Sequence, residues 1–185
     1  MYKTLQTIII FLSLAAPAMA LNLQPRPNTF DYDYLDLALI NYDAGGSGLL
    51  LTGSHDIYPN IDIFGGFSAA NHYTQLGAGG GYHWAIPTLE NTDARVFGGI
   101  ERGEFDVGAG SFDNSDTGAF FGAGLRASAS RALELFSNLT YHSFYSGDLV
   151  LDLGLRLQLN ENLDLSLTGQ LGDNNAFSGG VRYYY

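Results

Sequence analysis

Seven charged residues occupy the polar positions of segments in which apolar and polar residues alternate, as they do in a β-strand with two different faces. They are Arg95, Glu101, Arg126, Glu134, Asp152, Arg156 and Arg182. Inside a narrow barrel an unpaired charge is costly, so these residues are predicted to form an interior salt-bridge network. Such a network acts either as a gate for ions or as a polar plug. The plug is preferred, because the interior of a small barrel is normally filled by side chains.

Catalytic chemistry has one candidate pair, His142-Ser143. Adjacent residues of a strand point to opposite faces, so this pair lacks the geometry of a nucleophile and its base. His55, His72 and His83 fall in different segments without the spacing of metal ligands. We therefore expect no enzymatic activity, no cofactor and no metal. A lipid-modifying enzyme is the less favoured alternative.

Acidic residues dominate the segments that are predicted to be loops at one end of the barrel: Asp106, Asp113, Asp116 and Asp148. They could share divalent cations with lipopolysaccharide phosphates or contact a surface ligand, although an acidic loop is more often simply solvated. Nucleic acid is excluded as a partner by the charge of the chain, since seven arginines face 19 acidic residues once Lys3 is removed.

Ten strands account for the alternation along the chain. Their predicted ranges are 30–40, 49–56, 61–68, 76–84, 92–105, 119–128, 133–145, 149–159, 163–171 and 176–185. The first strand alternates imperfectly, because Tyr32 and Tyr34 share one parity while Leu35, Leu37 and Leu39 share the other. A bulge near Tyr34, or a strand that begins there, reconciles the two halves. Eight strands is the alternative, if the weak second or third strand is loop.

Residues 1–20 have the features of a cleaved signal peptide: Lys3, an apolar run, and small residues at Ala18 and Ala20. Residues 21–29 contain Pro25 and Pro27 and are predicted to form an extended periplasmic lead-in. Residues 30–185 then form the barrel. The chain has no cysteine, so disulfides do not contribute to its stability.

Alternation alone does not decide which face points outward, and a soluble lipocalin-like barrel is the competing interpretation. A water-facing polar surface would carry many lysines and glutamates, whereas this one is mostly Gly, Ser, Thr and Asn. The opposite face carries an unbroken row of leucines at 149, 151, 153, 155, 157 and 159. Strands of about 9 to 11 residues suit an apolar membrane band roughly 25 Å tall. We therefore predict an all-β, closed, antiparallel up-and-down transmembrane barrel.

Aromatic residues are predicted to form belts at the two rims, where amphipathic rings favour the headgroup layer. One belt comprises Tyr32, Tyr34, Tyr58, Trp84, Tyr183 and Tyr185. The other rim carries Tyr42, Tyr73, Phe105 and Tyr145.

The chain resembles the small outer-membrane β-barrel proteins of Gram-negative bacteria, of the OmpA-like and OmpX-like kind. The resemblance rests on the signal peptide, the Phe30-Asp-Tyr-Asp-Tyr-Leu-Asp-Leu opening, Gly124-Leu-Arg126, and the closing Gly180-Val-Arg182-Tyr-Tyr-Tyr185. It implies a place in the cell outer membrane, in contact with its lipid and lipopolysaccharide. It also implies that the barrel-assembly machinery reads the last strand, through Phe177, Val181, Tyr183 and Tyr185. Longer OmpA-type proteins carry a further domain after the barrel, which is not expected here.

Two functions follow from these features. The favoured one is a plugged barrel with a structural or surface-interaction role. The alternative is a narrow pore for ions or small solutes.

Overall fold

The computed structural model describes residues 30–105, 114–144 and 147–185, and these form a closed barrel of ten antiparallel strands. The strands are β1 Tyr34–Tyr42, β2 Gly46–Tyr58, β3 Ile61–Ala70, β4 Tyr73–Ala85, β5 Thr92–Phe105, β6 Asn114–Ser128, β7 Leu133–His142, β8 Asp148–Gln158, β9 Leu163–Leu171 and β10 Ala176–Tyr184. Each strand pairs with its neighbours in the chain. The prediction of ten strands is confirmed, and the eight-stranded alternative is wrong. In these residues no helix is long and apolar enough to cross a membrane.

The barrel closes where β10 pairs with β1 over nine residue pairs, from Tyr34 opposite Tyr184 to Tyr42 opposite Ala176. An even number of strands places the start of β1 and the end of β10 at the same rim. We call this rim the terminal end and the opposite rim the loop end. The predicted signal peptide, with Ala18 and Ala20, and the lead-in at 21–29 lie outside the described residues.

The apolar face of the strands points outward, as predicted. Leu149 and Leu153 of β8 are exposed, and so are Leu35, Leu37 and Leu39 of β1. The residues that alternate with these leucines in each strand face the lumen. Since a surface of contiguous leucines is unfavourable in water, this outer face suits the hydrocarbon of a bilayer.

The ends of several strands differ from their predicted positions. β1 begins at Tyr34, so the second of the two explanations for its broken alternation is correct. The bulge lies instead in β2, between Asp56 and Tyr58. β2 also begins at Gly46, inside the predicted loop, because ladder pairing with β1 extends strands through glycine-rich sequence. β7 ends earlier than predicted, at His142.

Two local features allow the tight turns and close strand contacts. Asn60, in the turn between β2 and β3, has a φ of 71°, a left-handed conformation that Asn tolerates. Gly154 in β8 faces the ring of Phe136, and a Cβ at this glycine would collide with that ring. The absence of a side chain here leaves room for an aromatic ring to lie across the lumen wall.

Candidate functional site

The lumen is the candidate functional site, and its inward side chains divide it into two parts. Near the terminal end it is packed with ion pairs and aromatic rings. Toward the loop end lie a small apolar cluster, Ile40, Tyr42 and Tyr73, and a cavity with both polar and apolar walls. All seven of the predicted interior charged residues have inward parity, because each belongs to the ladder rows that face the lumen.

Arg126, Glu134 and Arg156 form the centre of the terminal-end packing. Arg126 donates from Nε and Nη2 to the two oxygens of Glu134, at 3.0 and 2.9 Å. Arg156 pairs with Glu134 from the neighbouring strand and lies 4.0 Å from the centroid of the Phe136 ring. One carboxylate thus serves two guanidinium groups. Arg156 Nε is buried without a hydrogen-bond partner in the described part of the chain.

The other two lumen arginines have separate carboxylate partners. Arg95 donates from Nε to Asp62 Oδ1 at 3.1 Å, and its Nη2 pairs with Asp62 Oδ2. Arg182 donates from Nε to Asp36 at 3.0 Å, and its guanidinium lies over the Tyr34 ring. Fork-shaped pairing of this kind explains why arginine is preferred to lysine inside the barrel.

The predicted network is therefore wrong in its connections, because among the described residues its arginines belong to three separate groups of ion pairs. Glu101 interacts with His142 and Gln75 instead of an arginine, with Nδ1 of His142 at 2.7 Å. Asp152 forms no hydrogen bond or ion pair with any residue that the structure describes. Residues of equal parity all face the lumen, but they can lie at different heights along the barrel axis or on distant strands. Such residues are too far apart to form ion pairs.

A short segment before β1 enters the lumen at the terminal end. Tyr32 is only 2% exposed and stacks on the His83 ring, with the ring centroids 3.8 Å apart. Its hydroxyl donates to Asp93 at 3.1 Å. Burial raises the pKa of the Tyr32 phenol well above its ordinary value, so the hydroxyl keeps its proton and acts as the donor. Arg126 Nη1 donates to the carbonyl of Asp31, which holds the segment in place.

His83 has three acidic neighbours that its sequence spacing did not indicate: Asp56, Asp62 and Asp93. One donor atom from each of Asp56, Asp62 and His83 lies within 4.8 Å of the others, an arrangement that could hold a metal ion. The prediction rested on the sequence spacing of His55, His72 and His83, and this spacing does not reveal acidic neighbours on other strands. Asp62 is nevertheless wholly buried and already binds the Arg95 guanidinium through both oxygens. A metal ion would have to displace this cation, so the cluster fits a metal poorly.

The predicted aromatic belt at the terminal end is correct for four of its six residues. Tyr58, Trp84, Tyr183 and Tyr185 are exposed on the outer face at the terminal end. Tyr32 and Tyr34 do not belong to this belt, because they line the lumen and contact arginines.

At the loop end, the second predicted belt also faces inward. Tyr42 and Tyr73 are buried, with ring centroids 5.1 Å apart, and Phe105 packs on Tyr73. The fourth member, Tyr145, lies outside the described residues. Strand parity decides these positions, and a rim location alone does not reveal parity.

The proposed assembly residues share the outward face of β10. Phe177, Val181, Tyr183 and Tyr185 are all exposed there. Tyr185 also donates from its hydroxyl to the carbonyl of Ser54, at 3.1 Å. The end of the chain is thus anchored to β2 across the closing strand pair.

Several lumen residues were missed in the sequence, above all Asp36, Asp62, Asp93 and Asp164. Asp62 lies between Ile61 and Ile63, and Asp36 lies between Leu35 and Leu37. The outward parity of these apolar neighbours was an available sign that both aspartates face inward. Asp164 accepts from the Tyr184 hydroxyl at 3.1 Å and completes the acidic partners of the terminal end.

A closed antiparallel barrel with an apolar outer surface, one aromatic rim and paired charges in the lumen is an integral outer-membrane β-barrel protein. No protein-family model matches the sequence, and no curated protein matches it either.

Solved structures share this fold. The NanC porin aligns with a TM-score of 0.53 and 8% identity, covering 82% of this chain and 100% of that chain. The KdgM porin aligns with a TM-score of 0.52 and 12% identity, over 82% of this chain and 99% of that chain. The translocator domain of the autotransporter NalP from Neisseria meningitidis aligns with a TM-score of 0.52 and 14% identity, over 100% and 97%. These likenesses concern the fold, and they support a place in the cell outer membrane.

Proposed function

We propose that this protein is a closed outer-membrane barrel with a structural or surface-interaction role, and that it is neither an open channel nor an enzyme. The observation that carries the proposal is the burial of the charged and aromatic groups at the terminal end. Asp62, Tyr32 and Arg182 are 0%, 2% and 4% exposed. We also propose that the protein is related more narrowly to the OmpA-like and OmpX-like barrels.

Burial of these groups argues against a water-filled path. The wall of an aqueous channel carries polar side chains that water can reach. Here each arginine of the lumen is held by a carboxylate and by an aromatic ring, and Tyr32 fills the space between His83 and Arg126. Ions could pass only if several buried ion pairs separated, which is costly.

A narrow pore is the second candidate, favoured by a cavity of about 300 Å³ within the lumen. Two of the structural neighbours are porins, and one KdgM structure is described in complex with disordered oligogalacturonate. An anionic oligosaccharide suits this lumen poorly, because its carboxylates outnumber its arginines.

Enzymatic activity is opposed by the geometry of His142 and Ser143. His142 contacts Glu101 inside the lumen, while Ser143 Oγ accepts from the backbone N–H of Ala119. The two side chains thus have different partners, and neither activates the other.

The proposed partners follow from the outer surface and the loops. Lipid contacts the leucine face, and the barrel-assembly machinery recognises β10. The terminal end lies in the periplasm and the loop end outside the cell, where Asp116 and Asp148 offer a surface to lipopolysaccharide-bound cations or to a protein ligand. Asp106 and Asp113, the other two acidic loop residues, lie outside the described residues.

Single-channel recording in planar bilayers tests the proposal. The purified wild-type protein should show no defined openings, whereas Tyr32→Ala should show intermittent ones, because it removes the side chain that fills the terminal end. Tyr58→Ala is the matched control, since Tyr58 is 72% exposed on the outer surface. Stable, uniform openings of the wild type would overturn the closed-barrel proposal and favour the pore.

A further inference from the structure

The cavity in the lumen lies beyond the packed ion pairs of the terminal end. It measures about 300 Å³ and is bordered by polar and aromatic side chains from across the barrel. Those that matter most here are Gln75, Glu101, Phe120, Asn138, Asp152 and Gln170. Its size is sufficient for a small solute, and its wall combines acidic, amide and aromatic side chains.

Asp152 is the unusual group of this cavity. It points into the lumen from the middle of β8, where it is half-buried and interacts electrostatically with His142. No residue within 30–105, 114–144 and 147–185 gives it a hydrogen bond or an ion pair. Glu101, by contrast, has both oxygens occupied, one by His142 and one by Gln75. Because a half-buried carboxylate that accepts no hydrogen bond from the protein is unfavourable, Asp152 can accept one from a ligand that is not part of the chain.

Two amides flank Asp152 at its own level of the barrel. Asn138 of β7 is its register partner on one side, and Gln170 of β9 is its partner on the other. All three side chains border the cavity. An amide oxygen accepts hydrogen bonds as a carboxylate does, so this row can surround a group that donates several N–H bonds.

The charges around the cavity favour a cation. Asp152 and Glu101 are both acidic. Among the described residues that border the cavity, Arg95 is already held by Asp62, and His142 is already held by Glu101. An anion would meet two carboxylates without a free guanidinium. A cation would meet one unpaired carboxylate at close range in a poorly solvated space, where such attraction is strong.

An aromatic wall distinguishes an organic cation from a metal ion. Phe120 borders the cavity, with its ring 5.9 Å from Phe64 and 6.2 Å from His142, centroid to centroid. In the described chain no arginine lies over the Phe120 ring, whereas Phe64 and Phe97 already contact Arg95. The one group of donor atoms there that is close enough to share a metal, Asp56, Asp62 and His83, does not border this cavity.

We propose that this cavity binds a small organic cation that carries a primary amine. The ammonium group donates to Asp152 and to the side-chain oxygens of Asn138 and Gln170. Its carbon stem packs on Phe120. This inference concerns the lumen and does not depend on whether the barrel conducts.

Isothermal titration calorimetry of the folded, detergent-solubilised barrel tests the site, with 1,4-diaminobutane as the probe. The uncharged 1,4-butanediol, of the same chain length, is the control ligand and should give no saturable heat. Asp152→Asn should weaken diamine binding by roughly ten- to a hundredfold, as expected for losing a charged hydrogen bond. Phe120→Leu should weaken it by a smaller factor.

A matched acidic variant separates this site from general attraction to an acidic protein. Asp164→Asn neutralises another buried lumen carboxylate, one that does not border the cavity, and should leave the affinity unchanged. Retained heat-modifiable gel mobility shows that each variant is folded. The proposal is overturned by absent wild-type binding, by equal binding of the diol, or by an Asp152→Asn affinity equal to that of the wild type. These outcomes are independent of the single-channel recording, which tests the closed barrel.

Discussion

Arg126→Ala removes the guanidinium that joins three parts of the terminal end. The side chain makes two hydrogen bonds to Glu134 and one to the carbonyl of Asp31. It also lies 4.8 and 4.7 Å from the ring centroids of Phe30 and Tyr32. The substitution therefore breaks a buried ion pair and also releases the segment that fills the lumen.

The expected loss of stability follows from the burial of the pair. The Arg126 and Glu134 side chains are 10% and 13% exposed. Removing one member of a buried ion pair costs about 3–5 kcal/mol, since the other charge stays in a poorly solvated place. Glu134 keeps Arg156 as a second partner, so we expect a value near the lower limit, about 3 kcal/mol.

Arg102→Ala is a matched control, because it breaks the same kind of pair on the surface. Arg102 and Glu104 are 56% and 50% exposed, and their N···O distance is 2.8 Å. An exposed ion pair contributes about 0.2–1 kcal/mol, owing to solvent screening and side-chain entropy. The two alanine variants should therefore differ by roughly 2–3 kcal/mol in their free energy of unfolding.

Urea unfolding of the barrel in phospholipid vesicles measures this difference. Trp84, the single tryptophan, lies on the outer surface and reports by fluorescence when the barrel leaves the bilayer. Heat-modifiable gel mobility gives an independent measure of the folded fraction. If Arg126→Ala and Arg102→Ala lose equal stability within about 1 kcal/mol, Arg126 is not a buried, paired group and the packed terminal end is wrong.

Three further predictions concern the lipid face, the strand contacts and assembly. Leu153→Arg, at the middle of β8, should cost about 2–4 kcal/mol in vesicle unfolding, whereas Leu159→Arg, at the rim, should cost about 0–1 kcal/mol; equal costs would contradict the outward leucine row. Gly154→Ala should destabilise the barrel by about 1–3 kcal/mol through collision with the facing phenylalanine ring. Gly169→Ala, where the nearest atom to a new Cβ is 4.0 Å away, should be close to neutral, and the reverse order would refute the packing. Deleting Tyr185 should reduce the heat-modifiable, membrane-inserted fraction in cells more than deleting one loop residue; unimpaired assembly would count against recognition of the last strand.

Period-2 alternation was sufficient to predict most of the architecture. The leucine row of β8 and the polar residues between these leucines identify both faces without any tertiary information. The bounds of β5, Thr92–Phe105, and β9, Leu163–Leu171, agree with the predicted ranges. Where alternation was weak, the bounds were less accurate: β1 begins later than predicted, at Tyr34, whereas pairing with its neighbours extends β2 at both ends.

The sequence by itself determined the class of fold, the direction of each face and the inward position of Arg95, Arg126, Arg156 and Arg182. These properties are local, since each depends on residues two positions apart in one strand. The tertiary structure decided which charges meet: Arg95 pairs with Asp62 and Arg182 with Asp36, while Asp152 is left beside a cavity. It also placed Tyr32 and Tyr34 in the lumen instead of the rim. These outcomes depend on the register between strands and on their stagger around the barrel, and parity within one strand carries no information about either.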